Sequence, residues 1–210
     1  MIPFTIDYVL VLIGAFLLSL FLTPIVRSIA FRVGAVDNPN ARRINKLPMP
    51  SSGGLAIFLS FLVSALILMP KVLKGIPGAV SYFDYILPVV IAALIITATG
   101  YIDDIFELKP RTKMLGIIIG AVIVWAFTDF RFDSFKIPFG GPLLEFNSVV
   151  TFFLTVFWII SITNAMNLID GLDGLVSGVS IISLGTMALV SHFFLSQTDF
   201  YLTLTILLLI

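Results

Sequence analysis

The chain has 210 residues, is 59% hydrophobic and only 11% charged, and carries 20 Phe. A water-soluble domain averages roughly 25% charged residues, so composition excludes a soluble globule. Twelve basic residues balance twelve acidic ones, which gives no electrostatic reason to expect nucleic acid, and the lack of Cys rules out disulfides, zinc-thiolate sites and thiol nucleophiles.

A helix needs roughly 20 apolar residues to cross a bilayer core. Six runs reach or approach that length: Tyr8–Val26, Gly53–Met69, Tyr85–Ile102, Met114–Phe127, Ser148–Thr163 and Leu175–Leu195. The expected fold is all-α, a polytopic membrane helix bundle forming a single domain over 1–210. It has six full transmembrane helices and a partial seventh from Phe200 to Ile210. That last run covers about half a span, so the chain is expected to be the N-terminal portion of a longer protein. Met1–Asp7 has no Lys or Arg, which argues for a retained first helix over a cleaved signal. Met114–Phe127 is the shortest run and needs its flanks to cross. The loop Asp129–Phe146 alternates aromatic and polar residues around Gly140-Gly141-Pro142. It reads either as an interfacial hairpin or as a plain aromatic belt.

Lys and Arg collect in cytoplasmic loops. Arg27, Arg32, Arg42, Arg43 and Lys46 follow the first run, and Lys109, Arg111 and Lys113 follow the third. The alternate loops hold only Lys71, Lys74, Arg131 and Lys136. This asymmetry predicts an outside N-terminus and puts two acidic clusters on the cytoplasmic face.

The first cluster is Asp103-Asp104, followed by Pro110-Arg111-Thr112-Lys113. Adjacent carboxylates repel unless a cation joins them, and Mg²⁺ uses oxygen ligands while bridging substrate phosphates. Arg111 and Lys113 could neutralise phosphate charge. The competing reading is an acidic helix end that pairs with Lys109 or Arg111.

The second cluster is Asn164-Ala-Met-Asn167-Leu-Ile-Asp170-Gly171-Leu-Asp173-Gly174, set between apolar runs. If helical, Asn167, Gly171, Gly174 and Gly178 form a narrow stripe that admits a ligand or a neighbouring helix. Asn164, Asn167, Asp170 and Asp173 would then fan round the helix. A packing face with carboxamide glue explains the Asn and Gly residues but not two acids in an apolar setting, where ionised groups cost several kcal/mol. Between Pro39 and Gly54, a basic Pro-rich loop containing Lys46 enters a helix through Gly53-Gly54. That entry reads as an anion site or as a lipid-surface anchor. His192, near the outer end of the sixth run, reads as interfacial.

In this order, the three loops resemble the polyprenyl-phosphate N-acetylhexosamine-1-phosphate transferases. Asp103-Asp104 with Pro110-Arg-Thr-Lys113 is similar to that family's acidic loop. Asn164-x-x-Asn167-x-x-Asp170-Gly-x-Asp173-Gly is similar to its most specific signature. Lys46-Leu-Pro-Met-Pro-Ser-Ser-Gly-Gly resembles the branch that transfers N-acetylglucosamine phosphate more than the muramoyl-pentapeptide branch. The resemblance implies a Mg²⁺-dependent membrane enzyme, with Mn²⁺ as an alternative ion. It would use UDP-N-acetylglucosamine and a polyprenyl phosphate at the cytoplasmic face of the cell membrane, either alone or as a homodimer.

It further implies Asn167, with Asp104 as a second candidate, for the metal, and Asp103 to accept a proton from, or orient, the lipid phosphate. Lys113 and Arg111 would hold phosphate, and Asp170 and Asp173 would shape the catalytic nucleotide and metal pocket. Asn164, Gly171 and Lys46 would contact substrate. Asn45 stands where the family usually has His, and no role is carried onto it. The family's later loops, an Asp-x-Gly-Ser stretch and a His-rich one, do not occur in these 210 residues, so activity of this polypeptide alone is not expected. Two rivals are a cation-coupled transporter, which would place acids at mid-helix, and a non-catalytic membrane scaffold.

Overall fold

Apolar runs set the helices, and two of these continue through an internal proline, Pro24 and Pro88. The computed structural model describes residues 6–37, 39, 46–68, 82–137, 139–172 and 174–194. The chain divides into two compact units, one of residues 1–83, 104–106 and 171–210, the other of residues 84–103 and 107–170.

In the first unit, helix α1 spans Ile6–Val33. Its end is a Schellman motif: Gly34 sits at φ 82°, and the Ala35 N–H donates to the Ala30 carbonyl at 3.0 Å. Arg27 and Arg32, expected in the following loop, are therefore residues of α1, because the helix continues through Pro24 and ends only at Gly34. Strands β1 (Val36–Asp37) and β2 (Met49–Pro50) pair antiparallel, Val36 against Pro50 and Asp37 against Met49. Ser51 donates both its N–H (3.1 Å) and its hydroxyl (3.0 Å) to the Ala35 carbonyl. The basic excursion between the strands is thus clipped at its neck.

Helix α2 (Gly53–Val63) follows and continues as a π-helical segment, Ser64–Leu68. It packs on α1 through small residues: Ala56, Ser60 and Ser64 are buried, as are Ala15 and Ala30 on α1. Small side chains let membrane helices approach closely. The approach allows the buried Ser60 hydroxyl to donate to the Ala15 carbonyl at 2.7 Å. Ser60→Ala is expected to weaken this pair by about 0.6 kcal/mol, the average for interhelical hydrogen bonds in membranes, measured as a small fall in thermal stability in detergent. Helix α6 (Leu175–Phe194) also belongs to this unit.

The second unit is built on α3 (Tyr82–Phe106), α4 (Pro110–Phe127) and α5 (Ser148–Ile169). The run predicted as shortest is lengthened by Pro110, which suits the first helical position because its φ is preset and its missing N–H would be unbonded there anyway. Its 18 residues extend about 27 Å at 1.5 Å per residue. Gly116 and Gly120 on α4 are buried against α3: a Cβ at Gly116 would overlap Thr99, and one at Gly120 would lie 2.7 Å from Ile96 and 3.2 Å from the Ala92 carbonyl. The descending order of partners makes the two helices antiparallel.

Between α4 and α5, β3 (Ser134–Lys136) and β4 (Leu143–Glu145) form a hairpin, the first of the two readings of this loop, with Phe135 opposite Leu144. Its lead-in is fixed to α5 where the Phe132 N–H donates to the buried Thr155 hydroxyl (3.1 Å) and the Phe132 ring meets Trp158 edge-on at 5.4 Å. Trp125 of α4 likewise meets Phe152 of α5 at 5.0 Å.

The fold is mainly helical, with two short ribbons where the sequence reading has all-α. Among the described residues four helices are long and apolar enough to cross a membrane: Val9–Val33, Ile86–Phe106, Pro110–Phe127 and Ser148–Ile169. Gly53–Ile67 and Leu175–Val190 are shorter apolar helices. The expected partial seventh, Phe200–Ile210, lies outside the described residues. The chain is a multi-pass membrane protein.

Candidate active site

In the second unit the antiparallel order α3–α4–α5 brings the end of α3, the start of α4 and the end of α5 to one end. The hairpin and an apolar cavity of about 360 Å³, lined by Val89, Val124, Phe132, Trp158 and Ile159 among others, occupy the other end. Asp103, Arg111, Lys113, Asn164, Asn167 and Asp170 therefore share the end opposite that cavity.

The connection from α3 to α4 is only Glu107-Leu108-Lys109. Asp103 and Asp104 lie within the last turn of α3, not after it, because the apolar Ile105 and Phe106 carry the helix on to Glu107. Glu107 adopts φ 48° and its N–H donates to the Asp103 carbonyl at 2.9 Å. The Asp103 carboxylate accepts twice, from the Leu108 N–H (3.0 Å) on Oδ1 and from Lys113 Nζ (2.7 Å) on Oδ2. The pairing expected with Lys109 or Arg111 is made instead by Lys113, because the helix starting at Pro110 turns its fourth residue back toward α3. Arg111 is exposed, and Asp104 is half-buried.

The second cluster is not one helix. Helix α5 stops at Ile169, residues 170–172 turn, and α6 begins at Leu175. The stripe of Asn167, Gly171, Gly174 and Gly178 predicted on a continuous helix is therefore broken. Gly disfavours helix by about 1 kcal/mol per residue, and Gly174 takes φ 78°, outside the helical region. Asn164 is half-buried, and its amide donates to the Ile160 carbonyl at 2.8 Å, within its own helix. Asn167 and Asp170 are exposed, three residues apart at the end of α5. Gly171 is exposed in the turn, and Asp173 lies outside the described residues. Lys46 is exposed in a bend beside β2 of the first unit, while Arg42, Arg43 and Asn45 lie outside the described residues. His192 falls in α6.

Among the described residues no three His, Asp or Glu side chains gather as a metal cage. Mg²⁺ does not require one, since it commonly binds one or two carboxylates with substrate phosphates and keeps its waters. Asn167 and Asp170 sit three residues apart, the spacing of helix neighbours, and offer hard oxygen donors suited to that ion.

The model of glycosyl transferase family 4 matches residues 86–210, which include both acidic clusters and all of α4 and α5. The chain belongs to this family. Within glycosyl transferase family 4, it is 38% identical over 184 residues to a probable undecaprenyl-phosphate N-acetylglucosaminyl 1-phosphate transferase of Bacillus subtilis, covering 87% of this chain and 48% of that protein. It is 34% identical over 178 residues to a decaprenyl-phosphate N-acetylglucosaminephosphotransferase of Mycolicibacterium smegmatis, covering 84% and 43%. A phospho-N-acetylmuramoyl-pentapeptide-transferase of Staphylococcus epidermidis is 27% identical over 199 residues, covering 88% and 59%. The chain spans about half the length of the curated relatives it matches. No solved structure matches it.

Two features of the site escaped the sequence reading. One is the Lys113–Asp103 pair, which the Pro110 helix start could have signalled through its register. The other is the break at Asp170, which the two glycines within five residues could have signalled.

Proposed function

We propose that the protein transfers N-acetylglucosamine-1-phosphate from UDP-N-acetylglucosamine to a polyprenyl phosphate at the cytoplasmic membrane face, releasing UMP. The observation that carries this reading is the higher identity to the two N-acetylglucosamine-phosphate transferases than to the muramoyl-pentapeptide enzyme. An oxygen of the lipid phosphate forms a bond to the β-phosphorus of the nucleotide sugar. The bond from that phosphorus to the bridging oxygen breaks, and UMP leaves with the electron pair.

Both reactants are anions, so the site must offset their repulsion by positioned positive charge. Arg111 and Lys113 supply it from the first turns of α4. The family resemblance assigns Asp170 and Asp173 to shaping the nucleotide and metal pocket, and Asn164, Gly171 and Lys46 to substrate contacts. Asn167 and Asp170, with Asp104 as a further candidate, would hold Mg²⁺ or Mn²⁺. The ion, when bound, supplies neutralisation of diphosphate charge. If both acidic stretches build one site, Asp103 and Asp170 lie within roughly 10 Å of each other, given Mg–oxygen distances near 2.1 Å. Offering UDP-N-acetylmuramoyl-pentapeptide beside UDP-N-acetylglucosamine tests the choice of branch. The latter should be consumed and the former spared; preference for the peptide donor would move the protein to the other branch.

The Lys and Arg asymmetry supports an outside N-terminus and six crossings, with α2 and α6 spanning alongside the four longer helices. No native Cys interferes with labelling. In intact cells an impermeant thiol reagent is expected to modify Ser134→Cys in the hairpin and to spare Asn45→Cys until the membrane is opened. The reverse pattern would invert the topology and move the site to the other side.

A further inference from the structure

The connection between α3 and α4 is three residues long, too short to satisfy its own backbone. Past the helix end, the Leu108 N–H has no helical acceptor, and the Asp103 carboxylate provides one at 3.0 Å. The other Asp103 oxygen holds Lys113 Nζ at 2.7 Å, with the two side chains only 20% and 29% exposed. A free lysine side chain samples many rotamers. The pair therefore fixes an ammonium that would otherwise sample many positions. Both carboxylate oxygens are drawn toward the turn by strong donors.

We propose, resting on the transferase reading, that Asp103 is a positioning residue. It closes the α3–α4 turn and aims Lys113 at the phosphate of the substrates, and it acts through Lys113 rather than by accepting a proton from the lipid phosphate. Asp103→Asn keeps an oxygen for Leu108 but turns an amide donor or a neutral oxygen toward the ammonium. Asp103→Ala removes both acceptors.

The test is a mutant cycle on the protein as encoded, followed by steady-state transfer. Asp103→Asn and Lys113→Gln are each expected to lower kcat/KM on the order of 10²-fold, the scale of a misplaced catalytic contact. The double variant is expected to stay within about threefold of Lys113→Gln, because the two residues act as one unit. The acid limb of kcat/KM against pH should survive in Asp103→Asn, since that limb reports the essential base. A further large loss in the double variant, or disappearance of the acid limb, would overturn the proposal. Amide exchange on the purified chain gives an arm independent of activity. The Leu108 amide is expected to be protected in the parent and in Asp103→Asn, and to exchange freely in Asp103→Ala. Equal protection in Asp103→Ala would also overturn it. If the transferase reading itself fails, the parent makes no product from either donor while the exchange arm still decides whether Asp103 closes the turn.

Discussion

Gly116→Leu is expected to destabilise the second unit by about 3 kcal/mol, the upper part of the range for overpacking a filled site. A Cβ at that position already overlaps the Thr99 side chain, lying 2.6 Å from its Cγ2 and 2.8 Å from its Cβ. Thr99 cannot easily swing aside. It is β-branched, which restricts its first torsion in a helix, and its hydroxyl donates to the Ile95 carbonyl at 2.8 Å. The neighbouring notch is less forgiving still, since a Cβ at Gly120 meets the Ala92 carbonyl at 3.2 Å and only separation of α3 from α4 would relieve it. The helix-propensity gain on replacing Gly is about 1 kcal/mol or less, too small to reverse the sign. Gly100→Leu, in the same unit and with nothing within 4 Å, serves as the control and should not destabilise. Thermal unfolding in detergent distinguishes the three, and equal melting of Gly100→Leu and Gly116→Leu would mean that α3 and α4 do not meet at this notch.

Asp170→Asn, by contrast, is expected to lower transfer by on the order of 10²-fold or more, the scale for removing one preorganised electrostatic contact, while leaving thermal stability nearly unchanged. Asp170 is an exposed residue at the C-terminal cap of α5, so neutralising it opens no cavity and strands no buried partner. Asn167→Ala should instead raise the Mg²⁺ concentration needed for half-maximal rate, because it removes a neutral oxygen donor. Initial rates across a Mg²⁺ series, paired with melting curves, separate the two effects. Near-normal turnover by Asp170→Asn would remove that carboxylate from the site.

The lipid-facing helices were legible from hydropathy, since a stretch that must satisfy its backbone in hydrocarbon becomes helical almost regardless of side chain. Their ends were less so. Hydropathy placed the end of the first helix at Val26, whereas Gly34 sets it, and it placed the start of the fourth at Met114, whereas Pro110 does. The hairpin at 134–145 was one of two readings, since its alternation and glycines fit an aromatic belt equally well. The packing of α3 on α4 was not, although Gly116 and Gly120 stand four apart: a glycine spacing says that something approaches closely, not what. At the site, residue types announced charge and phosphate chemistry, but a helical period was extended through Asp170–Gly174, where the chain turns. Which base pairs with Asp103 depends on helix register across a three-residue connection, and spacing alone pointed to Lys109 or Arg111, whereas Lys113 makes the bond.

In the proposed reaction phosphorus moves with the sugar. The most direct measurement supplies the protein as encoded with polyprenyl phosphate, Mg²⁺ and UDP-N-acetylglucosamine labelled with ³²P at the β-phosphorus, then separates lipid from water-soluble products. The label is expected in the lipid fraction in equal amount to the UMP released. Sugar that reaches the lipid while the label stays in soluble UDP would overturn that assignment.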